Sequence, residues 1–298
     1  MHPPSLHLMG FSPTGTSRAV LRALAEGFGH AGASYTEMSP RASGTTGNRI
    51  NPGGVTVPGV TTQDQPAAVA VAVPVYSGRV PEVAAVYLDA IVAARRALTL
   101  PPIPAVAIVL YGNRAYDDAL LELHDLLSEA GLSVVAAGAF VGEHSYSTDD
   151  LPLSEGRPDR EDLDLARELG AAFARIVTTG MKPDGTAVHA SETDSAGGLI
   201  LPGNRPYRER KPRSGESPVT DADECILCGA CEEACPLGIV SVTDVVDTDA
   251  EECMYCCACV KACPNGSRRI GSEHIMEVAR WLDRNHGSRR RSELFLPG

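Results

Sequence analysis

Two copies of one cysteine ladder constrain the fold of this sequence more than any other feature. Cys225-x2-Cys228-x2-Cys231-x3-Cys235-Pro236 recurs as Cys253-x2-Cys256-x2-Cys259-x3-Cys263-Pro264, with equivalent cysteines 28 residues apart throughout. The segment is therefore an internal repeat. All nine cysteines of the 298-residue chain lie between Cys225 and Cys263. A chain of this length needs no disulfide staples, and reducing thiol pools keep cytoplasmic cysteines free, so clustered thiols point to metal. Spacing then names the metal. Three thiolates at every third position wrap one face of a cubane, and the fourth, followed by a proline that stops a helix, crosses to a second cluster. The crossed pattern assigns Cys225, Cys228, Cys231 and Cys263 to one [4Fe–4S] cluster, and Cys253, Cys256, Cys259 and Cys235 to the other. Zinc is the alternative, but tetrahedral zinc sites pair two C-x2-C units across a longer spacer and gain nothing from a third cysteine. Cys257, the ninth, stands where the first repeat has Gly229. It is either a reserve ligand or a buried bystander thiol, and the bystander is the expectation.

The segment from about Thr220 to Gly271 resembles the bacterial-type ferredoxins that carry two four-iron clusters. Between Asp221 and Ser272 it holds ten acidic and three basic residues. With a formal charge of −12 for the whole chain, phosphate backbones are repelled, which excludes general nucleic-acid binding and suits docking on basic redox proteins. The sequence holds no run near the ~20 apolar residues of a membrane span, and MHPPSLHLMGFSPTG lacks the pattern of a secretory signal; a cytoplasmic location is expected. The oligomeric state is not legible.

The first half reads as α/β. Apolar runs alternate with helical patterns, the signature of a parallel sheet covered on both faces. Strands are expected at Leu6–Phe11, Ala67–Val75, Ala105–Leu110 and Ser133–Phe140, with a weak fifth at Ala33–Met38. Helices are expected at Ser17–Gly27, Pro81–Ala97, Tyr116–Ala130 and Asp159–Ile176. The Gly/Pro/Thr-rich stretch Ser39–Gln65 replaces a crossover helix and is read as irregular. Gly27-Phe28-Gly29-His30-Ala31-Gly32 matches the dinucleotide fingerprint letter for letter, but it follows a helix and precedes a strand, the reverse of the required context. A helix stop explains it better.

Ligands of open α/β sheets bind beyond the carboxyl ends of the strands. After the first strand, Ser12-Pro13-Thr14-Gly15-Thr16-Ser17 brings hydroxyls and N–H groups to a helix N-terminus, which suits a phosphate, though a simple helix cap reads the same way. Without a lysine it is not a nucleotide-triphosphate loop. Tyr76-Ser77-Gly78-Arg79 and Gly112-Asn113-Arg114-Ala115-Tyr116-Asp117 follow the next two sheet strands. Each supplies a glycine for close backbone approach and a tyrosine able to stack on a flat ring. One phosphate loop and two glycine/aromatic loops at successive strand ends resemble the flavodoxins over Leu6 to Ile176, which implies FMN. The resemblance departs at Thr16, where flavodoxins generally carry Asn, and in the missing crossover helix. It implies cofactor contacts from Ser12, Thr14, Gly15, Thr16, Ser17, Tyr76, Ser77, Gly78, Arg79, Gly112, Asn113, Arg114, Tyr116 and Asp117.

A flavodoxin-like domain followed by a two-cluster ferredoxin resembles the flavodoxin–ferredoxin fusion family. Gly112 to Leu120, Gly138 to Ser147 (GAFVGEHSYS) and Pro202-Gly203-Asn204-Arg205-Pro206-Tyr207 also carry the likeness. The expected architecture is an FMN-binding five-stranded parallel domain over residues 1–177 and a linker over 178–219. A small α+β ferredoxin-like domain follows over 220–272, then a C-terminal helix and tail over 273–298. The linker is expected to pack on both domains, His144 to be structurally hydrogen-bonded or solvent-exposed, and the basic run Arg284–Arg291 to be a solvated tail or to fold on the acidic ferredoxin face. The resemblance implies a redox carrier that passes electrons between FMN, two [4Fe–4S] clusters and external redox proteins. Two other functions stay open. One is a flavin-dependent reductase with its own small-molecule substrate, with His144, Tyr116 and Asp117 as candidate acid or base groups but no paired constellation. The other is a cluster-binding module with an empty flavodoxin-like domain.

Overall fold

The computed structural model describes residues 4–40, 60, 67–179 and 199–297. Most of the Ser39–Gln65 stretch and the first half of the expected linker fall outside these residues.

The first domain runs β1 (Leu6–Gly10), α1 (Thr16–Phe28), β2 (Ser34–Glu37), β3 (Ala68–Pro74), α2 (Glu82–Leu98), β4 (Ile103–Tyr111), α3 (Ala119–Glu129), β5 (Leu132–Val141) and α4 (Arg160–Thr179). These five strands are parallel, in the order β2-β1-β3-β4-β5, the flavodoxin-like order with its switch point between β1 and β3. The central strands are buried on both faces, and their residues alternate in size. Ala68, Ala70 and Ala72 of β3 face the α1/α4 layer while Val69, Val71 and Val73 face α2/α3; on β4 the larger Val106, Ile108 and Leu110 take the α1/α4 side. Small beside large lets neighbouring strands fill each layer without voids. Helices α1 and α4 pack backbone to backbone: a Cβ on Gly27 would overlap the Arg167 carbonyl, and one on Gly170 the Leu24 carbonyl. The Gly27–Gly32 run is a helix stop. Gly29 sits at φ 86° and the N–H groups of Gly29 and His30 close on Glu26 and Ala25, as in a Schellman-type end.

The second domain holds β6 (Val219–Thr220), α5 (Ala230–Ala234), β7 (Val240–Val242), β8 (Val246–Thr248), α6 (Ala258–Lys261) and β9 (Arg268–Arg269), with antiparallel ribbons β6-β9 and β7-β8. The sequence repeat is also a backbone repeat. Leu227 and Tyr255 have φ 52° and 54°, and Gly229 and Cys257 have φ 78° and 57°. Little apolar core belongs to this module alone: Cys231, Cys235, Leu237, Val240 and Cys259 join the core layer under α2 and α3.

Residues 199–218 strap the domains together. Buried Asp118 at the start of α3 accepts from the Asn204 and Arg208 N–H groups at 2.9 and 2.8 Å, Arg205 and Tyr207 bind Asp125, and Arg213 bridges Glu252 (2.6 Å) and Glu82 (3.0 Å). The PGNRPY run is thus a docking clasp.

The C-terminal segment differs from the sequence expectation. After α7 (Glu273–His286), capped by Ser272, the chain returns to the first domain, where β10 (Glu293–Phe295) pairs antiparallel with Ala137–Ala139 of β5. The sheet therefore has a sixth strand. Arg289 pairs with Asp159 (2.6 Å) and Glu161 (2.8 Å), and buried Arg157, held bidentately by Asp162, donates to the Arg290 carbonyl. The basic run keeps its arginines exposed, as a solvated segment would, but it runs along the first domain and not on the acidic ferredoxin face. Acidic residues on the α4 side and free ladder groups on β5 bind it better. Among the described residues, no helix is long and apolar enough to cross a membrane.

Candidate functional site

Beyond the carboxyl ends of β1, β3, β4 and β5 lies a cavity of about 400 Å3, within the range of cofactor pockets. Thr14, Thr16, Tyr76, Ser77, Gly78, Gly112 and Arg114 line it. The phosphate loop is built from local geometry. Gly15 turns the chain at φ 86° and offers α1 no side-chain cap of its own; Ser12 Oγ takes the Arg18 N–H, which leaves the N–H groups of Thr16 and Ser17 available to an anion. The Ser17 hydroxyl is fully buried and has no hydrogen-bond partner. Ser17 does not line the cavity, so the hydroxyls that reach it from this loop are those of Thr14 and Thr16. Ser12 faces inward differently: its hydroxyl accepts from the Arg18 N–H (3.0 Å) and its own N–H donates to Glu37 (2.9 Å).

Four other expected contacts spend their polar groups elsewhere. Asn113, buried at φ 67°, donates to the carbonyls of His286 and Ser288 and accepts from the Arg290 N–H (3.0 Å). Tyr116 donates to Glu293 (2.9 Å), Arg79 grips buried Glu122 (2.7 Å), and Asp117 pairs with Arg114 and Arg208. The structure does not bring these four side chains to the cavity; they hold the tail, the strap and α3.

The sequence singled out His144 and the run that contains Tyr146, but not the rest of the opposite wall. Tyr111, His144 and Tyr146 come from the first domain, Met254 from the second, and Val278, Trp281 and Leu282 from α7. Trp281 is the only tryptophan, and no local signal ties a residue on a late amphipathic helix to a distant strand end. His144 packs against Gly112 so closely that a Cβ there would overlap the ring. The Tyr146 N–H donates to its Nδ1 at 3.0 Å, which places the proton of the neutral ring on Nε2. Burial, aided by the charge of Lys261, lowers its pKa to about 4.

Two further cavities lie in the second domain. Cys225, Cys228, Cys231 and Cys263 line the outer one; Cys235, Cys253, Cys256 and Cys259 line the inner one. This is the same partition as the crossed spacing. The sulfurs ring a space instead of meeting at a point, and among the described residues no three His, Cys, Asp or Glu side chains converge to hold a single ion. A cubane fits this arrangement, whereas zinc needs four ligands at ~2.0–2.3 Å from one centre. Cys257 lies beside the inner ring, but its thiol is buried and points to the Tyr255 carbonyl at 3.6 Å.

Residues 217–264 match the 4Fe-4S dicluster domain. The chain therefore joins an iron–sulfur module to a first domain with a flavodoxin-like strand order. No curated protein matches the chain in sequence. Among solved structures, a flavodoxin from the domain Archaea is 15% identical with a TM-score of 0.40, over 58% of this chain and 98% of its own. A WrbA-like flavodoxin from Agrobacterium tumefaciens is 17% identical with a TM-score of 0.39, over 58% and 97%. An NADH:FMN oxidoreductase in its apo form is 16% identical with a TM-score of 0.40, over 64% and 100%. At such scores these likenesses carry no argument, and the fold rests on the strand order itself.

Proposed function

We propose that the protein is an electron carrier in which FMN and two [4Fe–4S] clusters form one line from the sheet edge to the surface of the acidic module. The observation that carries this reading is a pair of shared walls. Met254 lines both the strand-end cavity and the inner cysteine ring, and Arg268 lines both cysteine rings. FMN exchanges electrons singly or in pairs and each cluster passes one, so the chain's task is to hold them close and exclude water.

The Gly15 turn holds the phosphate through the N–H groups of Thr16 and Ser17 and the hydroxyls of Thr14 and Thr16. Tyr76, Tyr111, Tyr146 and Trp281 supply the aromatic walls for a flat ring, and His144 offers a neutral N–H donor. At the far end Cys228 is exposed, and beside it stand Ile226 and Leu227, 65% and 43% exposed. An apolar spot with the acidic residues Asp223 and Glu224 next to it suits a redox protein with a basic rim.

The test uses protein purified without oxygen. Iron, sulfide and flavin are quantified together, and FMN is titrated while Trp281 fluorescence is followed. Quenching that saturates at one FMN per chain, followed by flavin-dependent cluster reduction in rapid mixing, is expected. Flavin binding without any transfer to the clusters overturns the carrier reading, and rapid turnover of a small oxidant by the flavin domain alone favours a reductase. No quenching and no bound flavin leave a cluster module only.

A further inference from the structure

Among the described residues three arginines are buried, and only one has neither a carboxylate partner nor a set of backbone carbonyls around its guanidinium. Arg95 is 3% exposed and donates to the backbone carbonyls of Ala130, Val60 and Pro101 at 2.5–2.7 Å. Arg157 is 7% exposed and is held bidentately by Asp162. Arg268 is 3% exposed, yet its guanidinium meets only two neutral hydroxyls: Thr220 Oγ1 at 2.8 Å and Thr248 Oγ1 at 2.7 Å. Its Nε is buried with no partner. It has no carboxylate partner among the described residues; the neighbouring Asp221 and Glu224 pair with Arg269 on the surface.

Carbonyls surround the Arg95 guanidinium, but one that has neither a counter-charge nor a full set of acceptors is strongly unfavourable when buried, and guanidinium stays protonated at any working pH. The compensating charge must come from something that occupies the space beside it. Arg268 borders both cysteine-lined cavities, and its own N–H reaches Cys263 Sγ at 3.4 Å. A cubane held by four thiolates is an anion, and its negative charge grows on reduction. Net charge nearby and hydrogen bonds to the sulfurs are among the determinants of cluster potential.

We propose that Arg268 is a fixed counter-charge shared by the two clusters, a positioning residue that favours the reduced state of both and so raises both potentials. This rests on the two-cluster reading above. Thr220 and Thr248 hold the guanidinium flat between the two rings without neutralising it, as a carboxylate would.

The experiment compares full-length, anaerobically reconstituted wild type with Arg268→Gln and Arg268→Lys. Iron and sulfide are measured first. A wild type that holds less iron than two clusters require overturns the two-cluster reading, and this proposal with it. With clusters in place, redox titration followed by electron paramagnetic resonance reads both couples. Arg268→Gln is expected to lower both, each by at least the tenfold weaker electron affinity that is ~59 mV for a one-electron couple, while Arg268→Lys stays closer to wild type. Unchanged potentials in Arg268→Gln overturn the proposal, as does a shift of one couple alone or an equal shift in Arg268→Lys. If Arg268→Gln fails to hold clusters and Arg268→Lys holds them, the charge requirement stands. Failure of both reduces Arg268 to a packing residue.

Discussion

At the scale of single residues, the ninth cysteine and His144 make the sharpest tests. Cys257 repeats the left-handed backbone of Gly229 but keeps its thiol on the Tyr255 carbonyl. Cys257→Ser is therefore expected to retain the iron content of wild type, whereas Cys256→Ser, in the inner ring, loses a cluster; iron and sulfide analysis with absorbance spectra checks both. His144 has its folded pKa near 4, below its ordinary 6.5. Between those values the unfolded chain binds more protons, so stability contributed by the neutral ring is present above about pH 6.5 and is lost as the pH falls toward 4. His144→Gln should flatten the fall in stability between pH 6.5 and 4, by up to about 1.4 kcal/mol per pH unit where the ring alone titrates. Denaturant unfolding at pH 7 and pH 5 measures this, and identical slopes in both proteins would refute it.

Elements carry the next level of argument, and β10 is the informative one. The three-residue strand covers the edge of β5 and ends next to Pro297, a common way of blunting a sheet edge. Removal of residues 288–298 uncovers that edge and also frees the end of α7, whose Val278, Trp281 and Leu282 wall the strand-end cavity. The truncated protein is expected to self-associate in light scattering and to bind FMN more weakly; a monomer with unchanged FMN affinity would show that the latch is dispensable. Asn113 is the hinge of this latch. Asn113→Ala removes the donor shared by the carbonyls of half-buried His286 and exposed Ser288 and should cost about 0.5–1.5 kcal/mol, read from urea midpoints. On the opposite face of the sheet, Gly170→Leu forces a side chain into the backbone of α1 and should abolish folding of the first domain, as judged by circular dichroism.

For the whole molecule the governing fact is charge. The chain carries −12 overall, and much of it lies on the module whose outer ring reaches the surface. Electron exchange with a basic redox protein should slow as ionic strength rises, because the Debye length shrinks from ~30 Å at 0.01 M to ~10 Å at 0.1 M. Stopped-flow rates across that range test it, and a rate independent of salt would place docking elsewhere. The strap and the Lys261–Glu143 ion pair tie the domains at two points, in keeping with cofactors that exchange electrons within one body instead of by collision.

Much of this molecule was legible in the chain before any coordinates. Strands β3 and β4 were readable because a strand buried on both faces must be apolar throughout, and the cysteine ladders because a cubane demands four thiolates at fixed separations. The Gly15 loop read in the chain as either a phosphate site or a simple helix cap; its left-handed turn at φ 86° came with the structure. The roles of Asn113 and Tyr116 were not legible. A polar side chain at a strand end hydrogen-bonds to whatever the fold places there, and here that is a tail about 170 residues later. Nor could spacing say which cluster site faces the flavin cavity, since the two ladders are equivalent in sequence. Local chemistry, ligand spacing and burial patterns are properties of the chain itself. Which wall Met254 shares, and which anion Arg268 answers to, depend on how two domains close on each other, and that is decided only by packing at long range.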